Sequence, residues 1–217
     1  MASDTTAINE ASSSERNLGG RPLDASRDDA LREAALTLLA EIGYDRLTVD
    51  KIAACAGAGK ATIYRRWSGK AELVVDALMC QKGDFSAPDS GNLRDDLTAL
   101  AHQADAHKDQ PLDTEVMIGL VTALPHDPEL RDVFQERLIN PHLETLKVVF
   151  ERAVARGEIA PVQNLDAVVS ILPALVMHRF IVVGTPPDEQ FFLSIIDDVI
   201  LPLVQAGGGA VGPSPLQ

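Results

Sequence analysis

Apolar residues recur every three or four positions along almost the entire chain, which is the spacing of one face of an α-helix. The first such stripe consists of Leu31, Ala34, Ala35, Leu38, Leu39 and Ile42. Ser26 precedes the stripe as a candidate cap, and Gly43 follows it as a candidate stop. The pattern therefore predicts a first helix that begins after Ser26 and ends at Gly43.

Three shorter helices are predicted next. Thr48 is a candidate cap for the second helix. A turn at residues 56–59 follows, in which glycine can adopt positive φ without steric cost. The third helix is predicted from Lys60 to about residue 67, and the fourth opens at Lys70.

Gly, Pro, Ser and Asp are concentrated at residues 83–92, and longer periodic segments follow this break. These segments lie at residues 93–108, 114–124, 128–155, 165–183 and 188–204. No stretch alternates between apolar and polar residues as a half-buried strand does. The sequence therefore predicts an all-α protein of about nine helices.

Composition is that of a soluble protein with a buried core. The chain has 217 residues, of which 46% are hydrophobic. Residues 1–17 contain no apolar run, and the apolar segment 168–183 is interrupted by Pro173, His178 and Arg179. We therefore predict no secretory signal, no membrane span and a cytoplasmic location. The two cysteines have no metal-ligand or disulfide-framework spacing, so neither a metal nor a cofactor is expected.

The net charge of −13 is unevenly distributed. Residues 1–82 carry 11 Lys and Arg against 12 Asp and Glu, whereas residues 83–217 carry 8 against 20. The stretch KATIYRRWSGK at residues 60–70 has four cations, two aromatic residues and no carboxylate. A local excess of positive charge on an acidic protein indicates a polyanionic ligand.

The second and third helices have the layout of a helix-turn-helix, whose second helix enters the major groove of double-stranded DNA. Ile63 and Trp67 lie one turn apart and are predicted to face the first helix. Arg65 is suited to bidentate hydrogen bonds with guanine, and the methyl groups of Ala61 or Thr62 to contact with a thymine methyl. The candidate backbone contacts are Thr48, Lys60, Tyr64, Arg66 and Lys70, together with Arg21 in a basic arm that can reach the minor groove.

Two other functions remain open at this point. A helix-turn-helix can serve protein–protein contact alone, in which case the cationic face would bind an acidic partner. A helical enzyme that uses Asp and His is the second alternative, although no catalytic spacing supports it. An ordinary solvated helix face is the simplest explanation for any run of Lys and Arg.

The span from Leu31 to Leu78 resembles the DNA-binding domain of the tetracycline-repressor (TetR) family. The motifs that carry the resemblance are GY at 43–44, LTVDKIA at 47–53, AGAGKATIYRRW at 56–67 and KAEL at 70–73. Trp67 stands where many members of the family have Phe, and the pair Ala58 and Gly59 replaces the commoner Val-Ser.

The resemblance implies a transcriptional regulator, usually a repressor, that releases DNA when a small molecule binds to its C-terminal domain. It also implies that the last two long helices form a four-helix homodimer interface, so that the dimer binds a palindromic operator. The matching segments here are 165–183 and 188–204. The candidate interface residues are Val168, Leu172, Leu175, Ile195, Ile196 and Val199.

The small-molecule effector is not identified by any motif. Candidate residues for an apolar effector pocket are Met117, Phe150, Met177 and His178, with ordinary packing as the alternative for each. The surplus of carboxylates in this region favours a neutral or cationic effector over an anion. The predicted parts of the chain are a disordered tail at 1–24, the helix-turn-helix domain at 25–82, a helical effector-binding and dimerisation domain at 83–205, and a disordered tail at 206–217.

Overall fold

A computed structural model describes residues 21–82, 85–105 and 114–206 of the chain. These residues form nine helices and no strand, which confirms the all-α prediction. Most of the two predicted tails lies outside the described residues. The helices are α1 (Arg21–Ile42), α2 (Val49–Cys55), α3 (Lys60–Tyr64), α4 (Lys70–Lys82), α5 (Leu93–Asp105), α6 (Thr114–Ala123), α7 (Pro128–Phe134, Gln135–Ile139 and Asn140–Ala155), α8 (Leu165–His178 and Arg179–Val183) and α9 (Glu189–Ile195, Ile196–Ile200 and Leu201–Ala206).

The first helix is longer than predicted. It begins at Arg21 rather than after Ser26. Pro22, its second residue, is compatible with this position because the first helical turn does not use the amide that proline lacks. Residues 25–27 are exposed, so the apolar period that locates the rest of the helix does not extend to this end.

The chain forms two hydrophobic cores, and α7 contributes to both. The first core is built by α1 to α4 together with α6 and the first part of α7, and the second by α5, the rest of α7, α8 and α9. Phe134 and Leu138 belong to the first core, whereas Leu146 and Phe150 belong to the second. The continuous helix α7 therefore connects the two cores directly.

The helix α4 is buried on more than one side. Leu73, Val74, Val75 and Leu78 have no exposed surface, and α4 packs against both α1 and α7. A helix that is apolar on several sides needs more than one neighbour to cover it. For this reason the core of the N-terminal part of the chain includes residues that lie far beyond residue 82.

Two prolines lie just after π-helical turns. Pro141 follows the turn Gln135–Ile139 in α7, and Pro202 follows the turn Ile196–Ile200 in α9. Proline lacks an amide donor, and its ring clashes with the carbonyl four residues earlier in a regular α-helix. In both cases that carbonyl lies inside the wider π-helical turn, so the helix continues past the proline.

Polar contacts hold the start of α5 in the second core. The carboxylate of Glu158 accepts the backbone N–H of Leu93 at 2.7 and 2.9 Å, which satisfies an amide at the start of the helix. Arg94 donates two hydrogen bonds to the carboxylate of Asp197 at 2.8 and 2.9 Å. The hydrogen bonds from Arg94 lower the pKa of Asp197.

The part of α7 in the first core should be necessary for a stable fold. Phe134 is 3% exposed, so we expect Phe134→Ala to lower the free energy of unfolding by about 3–5 kcal/mol through lost burial and a residual cavity. Urea unfolding followed by circular dichroism measures this change. The exposed neighbour Glu136 provides the control, because Glu136→Ala should change stability by less than about 0.5 kcal/mol. Equal stability of the two variants would contradict the shared core.

Candidate nucleic-acid interface

The start of α2 is capped as predicted. The hydroxyl oxygen of Thr48 accepts the backbone N–H of Lys51 at 3.3 Å, and the Thr48 side chain is exposed. Capping uses the hydroxyl as an acceptor, so its hydrogen can still be donated to a phosphate oxygen. Thr48 thus fixes the first turn of α2 and presents a donor on the surface.

The turn between α2 and α3 is a Schellman motif. The backbone N–H of Ala58 donates to the carbonyl of Ala53 at 2.9 Å, and that of Gly57 donates to Ala54 at 3.3 Å. Gly57 has φ of +62°, the left-handed conformation that this motif requires at its glycine. Gly59 has φ of −84° and caps α3 without a positive φ.

The helix α3 is shorter than predicted, because it ends at Tyr64 instead of continuing to Trp67. Helical hydrogen bonding nevertheless extends one turn further, since the N–H of Trp67 donates to the carbonyl of Ile63 at 2.9 Å. Ile63 and Trp67 are 0% and 4% exposed, which confirms the prediction that they face inwards. Their burial fixes which side of α3 can face a ligand.

The opposite side of α3 is open to solvent. Lys60, Ala61, Tyr64, Arg65 and Arg66 are exposed, and Tyr64 retains 57% of its surface. Thr62 is half-buried and lies towards the edge of this face. The exposed face therefore combines cations, one aromatic ring and one methyl group on a helix whose back is locked into the core.

Asp76 is not among the residues predicted from the sequence, and it fixes the buried side of the segment from α3 to Trp67. Its carboxylate accepts the indole N–H of Trp67 at 3.0 Å and the guanidinium Nε of Arg32 at 2.8 Å. The guanidinium of Arg32 also lies 5.6 Å from the centre of the Trp67 ring. Asp76 thereby connects α1, α4 and the turn after α3. Its spacing of nine residues from Trp67 is a weak sequence signal, because the two residues lie in different elements.

Carboxylates from other elements approach two cations of this surface. Lys60 forms an ion pair with Asp50 of α2. Arg66 forms an ion pair with Asp28 of α1 at 2.8 Å. Residues 60–70 contain no carboxylate, but carboxylates from α1 and α2 lie next to two of their cations.

Lys70 is placed differently from the other cations. Its ammonium group donates to the carbonyl of Tyr44 at 3.1 Å and lies 4.1 Å from the centre of the Tyr44 ring. Tyr44 is buried, and this burial raises the pKa of its phenol. Lys70 thus anchors the start of α4 to the loop after α1, and its predicted contact with phosphate stays a prediction. The contact joins residues 26 positions apart and is invisible to helical periodicity.

The segment after α3 is tied to α7. The carboxylate of Glu72 accepts the backbone N–H of Ser68 at 2.7 Å and forms an ion pair with Arg137. The hydrogen bond from the Ser68 backbone is the main cause of a lowered pKa of Glu72, and Arg137 adds to it. One side chain of α4 therefore links the turn beyond α3 to the helix shared by both cores. Arg21 is the first residue of α1, and its side chain lies outside the described residues.

The four candidate effector residues do not share one environment. Phe150 is 1% exposed and belongs to the second core, whereas Met117 is buried but belongs to neither core. Met177 is half-buried and His178 is exposed. His178 is therefore not enclosed by the described part of the chain, and its place in an effector pocket stays a prediction.

The candidate interface residues also fall into two groups. Val168, Ile195 and Ile196 are buried in the second core of this single chain, so they are not available for direct contact with a partner. Leu172 and Leu175 are half-buried, and Val199 is 40% exposed. Helical periodicity places all six residues on apolar helix faces. It does not show which of these faces pack inside the same chain and which remain exposed.

The last turn of α8 exposes three further apolar side chains. Ile181, Val182 and Val183 are 45%, 69% and 55% exposed. By length and composition alone α8 is apolar enough to cross a membrane, although a helix of a soluble protein can meet the same criterion. Only 11% of its most apolar stretch is buried within the protein. A helix of this kind needs another apolar surface to cover it.

The comparisons with known proteins agree with this geometry. Residues 31–77 match the family model of bacterial regulatory proteins of the tetR family, and residues 87–199 match that of the tetracyclin repressor-like C-terminal domain. The chain is 37% identical to the DNA-binding transcriptional repressor TetR of Mycobacteroides abscessus over 184 residues, which cover 84% of this chain and 96% of that protein. It is 36% identical to a helix-turn-helix transcriptional regulator of Mycobacterium tuberculosis over 197 residues, which cover 88% and 96%.

A solved structure has the same fold at low sequence identity. A TetR-family transcriptional regulator from Syntrophomonas wolfei superposes with a TM-score of 0.67 at 14% identity, covering 88% of this chain and all of that one. The fold, the helix-turn-helix and the relatives together define a DNA-binding transcriptional regulator. The chain belongs to the TetR family.

Removing the Asp76 carboxylate should leave a buried donor unpaired. We expect Asp76→Ala to lower the free energy of unfolding by about 1–3 kcal/mol, because the Trp67 indole N–H loses its acceptor. In a Trp67→Phe background the same substitution should cost less, since the donor is already absent. Urea unfolding of the four proteins measures the difference. An equal cost in both backgrounds would contradict the role assigned to this hydrogen bond.

Proposed function

We propose that this protein is a homodimeric repressor that binds a palindromic operator through α3 and releases it when a small molecule binds. The observation that carries the proposal is the two-sided nature of α3. Ile63 and Trp67 are buried behind it, while Ala61, Tyr64 and Arg65 are exposed in front. A short helix locked in this way can enter a major groove with a defined face towards the bases.

In this proposal, Arg65 and the methyl groups of Ala61 and Thr62 contact base edges. Thr48, Lys60, Tyr64 and Arg66 contact the DNA backbone, because they flank that face and carry donors. Lys70 has a structural role in this proposal, because its ammonium group contacts the carbonyl and the ring of Tyr44, and one of its remaining donors can contact phosphate. The acidic remainder of the chain repels DNA, so productive contact is restricted to this face.

The repressor direction is supported by the Mycobacteroides abscessus relative, whose name describes a transcriptional repressor. The exposed apolar side chains of α8 and α9 support a homodimer, since such surface is normally covered. We place the interface on Leu172, Leu175, Val182 and Val199 and on the end of α8. Two recognition helices related by two-fold symmetry then bind half-sites about one helical turn apart.

The effector is proposed to be a neutral or cationic small molecule bound among α5 to α8. Met117 and Phe150 are the buried candidates for contact with the effector. A cytoplasmic location is part of the same proposal, since operator DNA must be accessible.

The role of Arg65 can be tested on an operator selected from random duplexes by the unchanged protein. We expect Arg65→Ala to weaken operator binding by roughly 1–3 kcal/mol and to relax selectivity at one base pair of each half-site. Fluorescence anisotropy against single-base operator variants measures both effects.

Operator affinity of the unchanged protein should fall steeply with salt concentration. The logarithm of the binding constant should fall with the logarithm of salt concentration with a slope of about −0.9 per neutralised phosphate. A flat salt dependence would exclude DNA backbone contact.

The proposed dimer can be tested at residues that are exposed in one chain. Val182→Glu combined with Val199→Glu should convert the dimer to monomers in sedimentation velocity, because a charge at each site would be buried without a partner. Met79 is 37% exposed on α4 and provides a matched control, so Met79→Glu should leave the dimer intact. A dimer that survives both interface substitutions would place the contact on another surface.

A further inference from the structure

The two ion pairs at the proposed DNA-binding face differ sharply in burial. In the pair of Lys60 and Asp50, the side chains are 58% and 63% exposed. In the pair of Arg66 and Asp28, the Arg66 side chain is 48% exposed but that of Asp28 is only 6% exposed. The first pair lies entirely in solvent, whereas the second has one buried partner.

This difference in burial determines how much free energy is needed to separate each ion pair when DNA binds. An exposed ion pair is held by little free energy, so Lys60 can leave Asp50 for a phosphate at small cost. A buried carboxylate that loses its cation leaves an uncompensated charge in a poorly solvated site, which is strongly unfavourable. Arg66 therefore stays with Asp28 in the free protein and in the complex.

The Asp28 carboxylate is also incompletely satisfied. Its Oδ2 atom lies 2.8 Å from an Nη atom of Arg66, whereas its Oδ1 atom is buried and has no hydrogen-bond partner in the described part of the chain. A buried acceptor without a donor lowers stability. Stability alone is thus a poor explanation for a carboxylate at this position.

Asp28 is held by a rigid element. It lies one turn before Leu31 and two turns before Ala35 on α1, and both of these residues are fully buried in the first core. Ile63 and Trp67 of the α3 segment are buried in that same core. The position of the Asp28 carboxylate relative to α3 is therefore set by core packing.

We propose that Asp28 is a positioning residue for DNA binding, which holds the Arg66 guanidinium in the orientation that contacts a phosphate. One Nη atom of the guanidinium lies 2.8 Å from the Asp28 carboxylate, and the Arg66 side chain is 48% exposed, so its remaining N–H groups can reach the DNA backbone. This inference rests on the proposed function, because it requires that Arg66 contacts DNA. Asp50 has no such role and only competes with phosphate for Lys60.

Asp28 and Asp50 offer a matched comparison, since neutralising either carboxylate makes the net charge of the same face more positive by one unit. Asp28→Ala removes the charge and the acceptor, whereas Asp28→Asn removes the charge but retains an acceptor. A purely electrostatic role predicts that both raise DNA affinity equally. A positioning role predicts that Asp28→Ala lowers operator affinity relative to Asp28→Asn, by roughly five- to ten-fold.

The measurement uses the full chain, with a selected operator duplex and a random-sequence duplex of equal length as probes. For Asp28→Ala we expect weaker operator binding and a salt slope that is shallower by about one per protomer. Asp50→Ala and Asp50→Asn should behave alike and should strengthen binding to both duplexes. If Asp28→Ala instead strengthens binding to both duplexes, as Asp50→Ala does, the positioning role is excluded.

A coupling test separates this inference from the proposed function. Arg66→Gln should weaken operator binding in the unchanged protein and in Asp28→Asn, which retains an acceptor, and should have little further effect in Asp28→Ala. If Arg66→Gln has no effect in the unchanged protein, the proposed DNA contact of Arg66 is wrong. If Arg66→Gln weakens binding equally with and without Asp28, the DNA contact stands and the positioning role is overturned. Asp28→Leu, which also lacks an acceptor, supplies the same coupling test if Asp28→Ala does not fold, and thermal unfolding reports folding for every variant.

Discussion

The burial of α4 on more than one side is the constraint on which the rest of the structure depends. Leu73 and Val74 have no exposed surface, and the helix packs against α1 on one side and α7 on another. A helix of this kind cannot complete its core within the first 82 residues. The segment formed by α3 and the turn after it is therefore supported by packing that includes α6 and α7, and α7 continues into the second core.

This shared helix gives a physical route between the two cores. Arg137 of α7 pairs with Glu72, and Glu72 accepts the backbone N–H of Ser68 just beyond α3. A displacement of α7 would therefore be transmitted through Glu72 to the segment that carries Arg65 and Arg66. Packed helices of high density transmit such displacements as rigid bodies rather than absorbing them.

The positive charge at the proposed DNA-binding face is more fully paired than the sequence of residues 60–70 suggests. Lys60 and Arg66 each have a carboxylate partner, and Lys70 is turned onto Tyr44. The carboxylates of Asp50 and Asp28 differ in burial. The exposed pair of Lys60 and Asp50 can exchange partners readily, whereas the pair with the buried Asp28 cannot. The face is thus arranged to orient a few cations and not to maximise positive charge.

Much of the architecture follows from the sequence alone. Apolar periodicity, together with cap and turn residues for α2 to α4, predicted all nine helices of the described residues. The motif around residues 56–67 identified α3, its inward residues Ile63 and Trp67, and the family. These features are local, since they depend on spacing within one helix or one turn. Periodicity did not locate the first turns of α1, because no apolar stripe marks that end.

Only the tertiary structure decided which side chains meet across elements. It placed Asp76 behind Trp67, Asp28 beside Arg66 and Lys70 on Tyr44, and it buried Ile195 and Ile196 inside one chain. Each of these contacts joins different helices or a helix and a loop. The spacing of apolar residues shows that a helix has a face to bury, but the choice of partner for that face depends on how all the helices pack together.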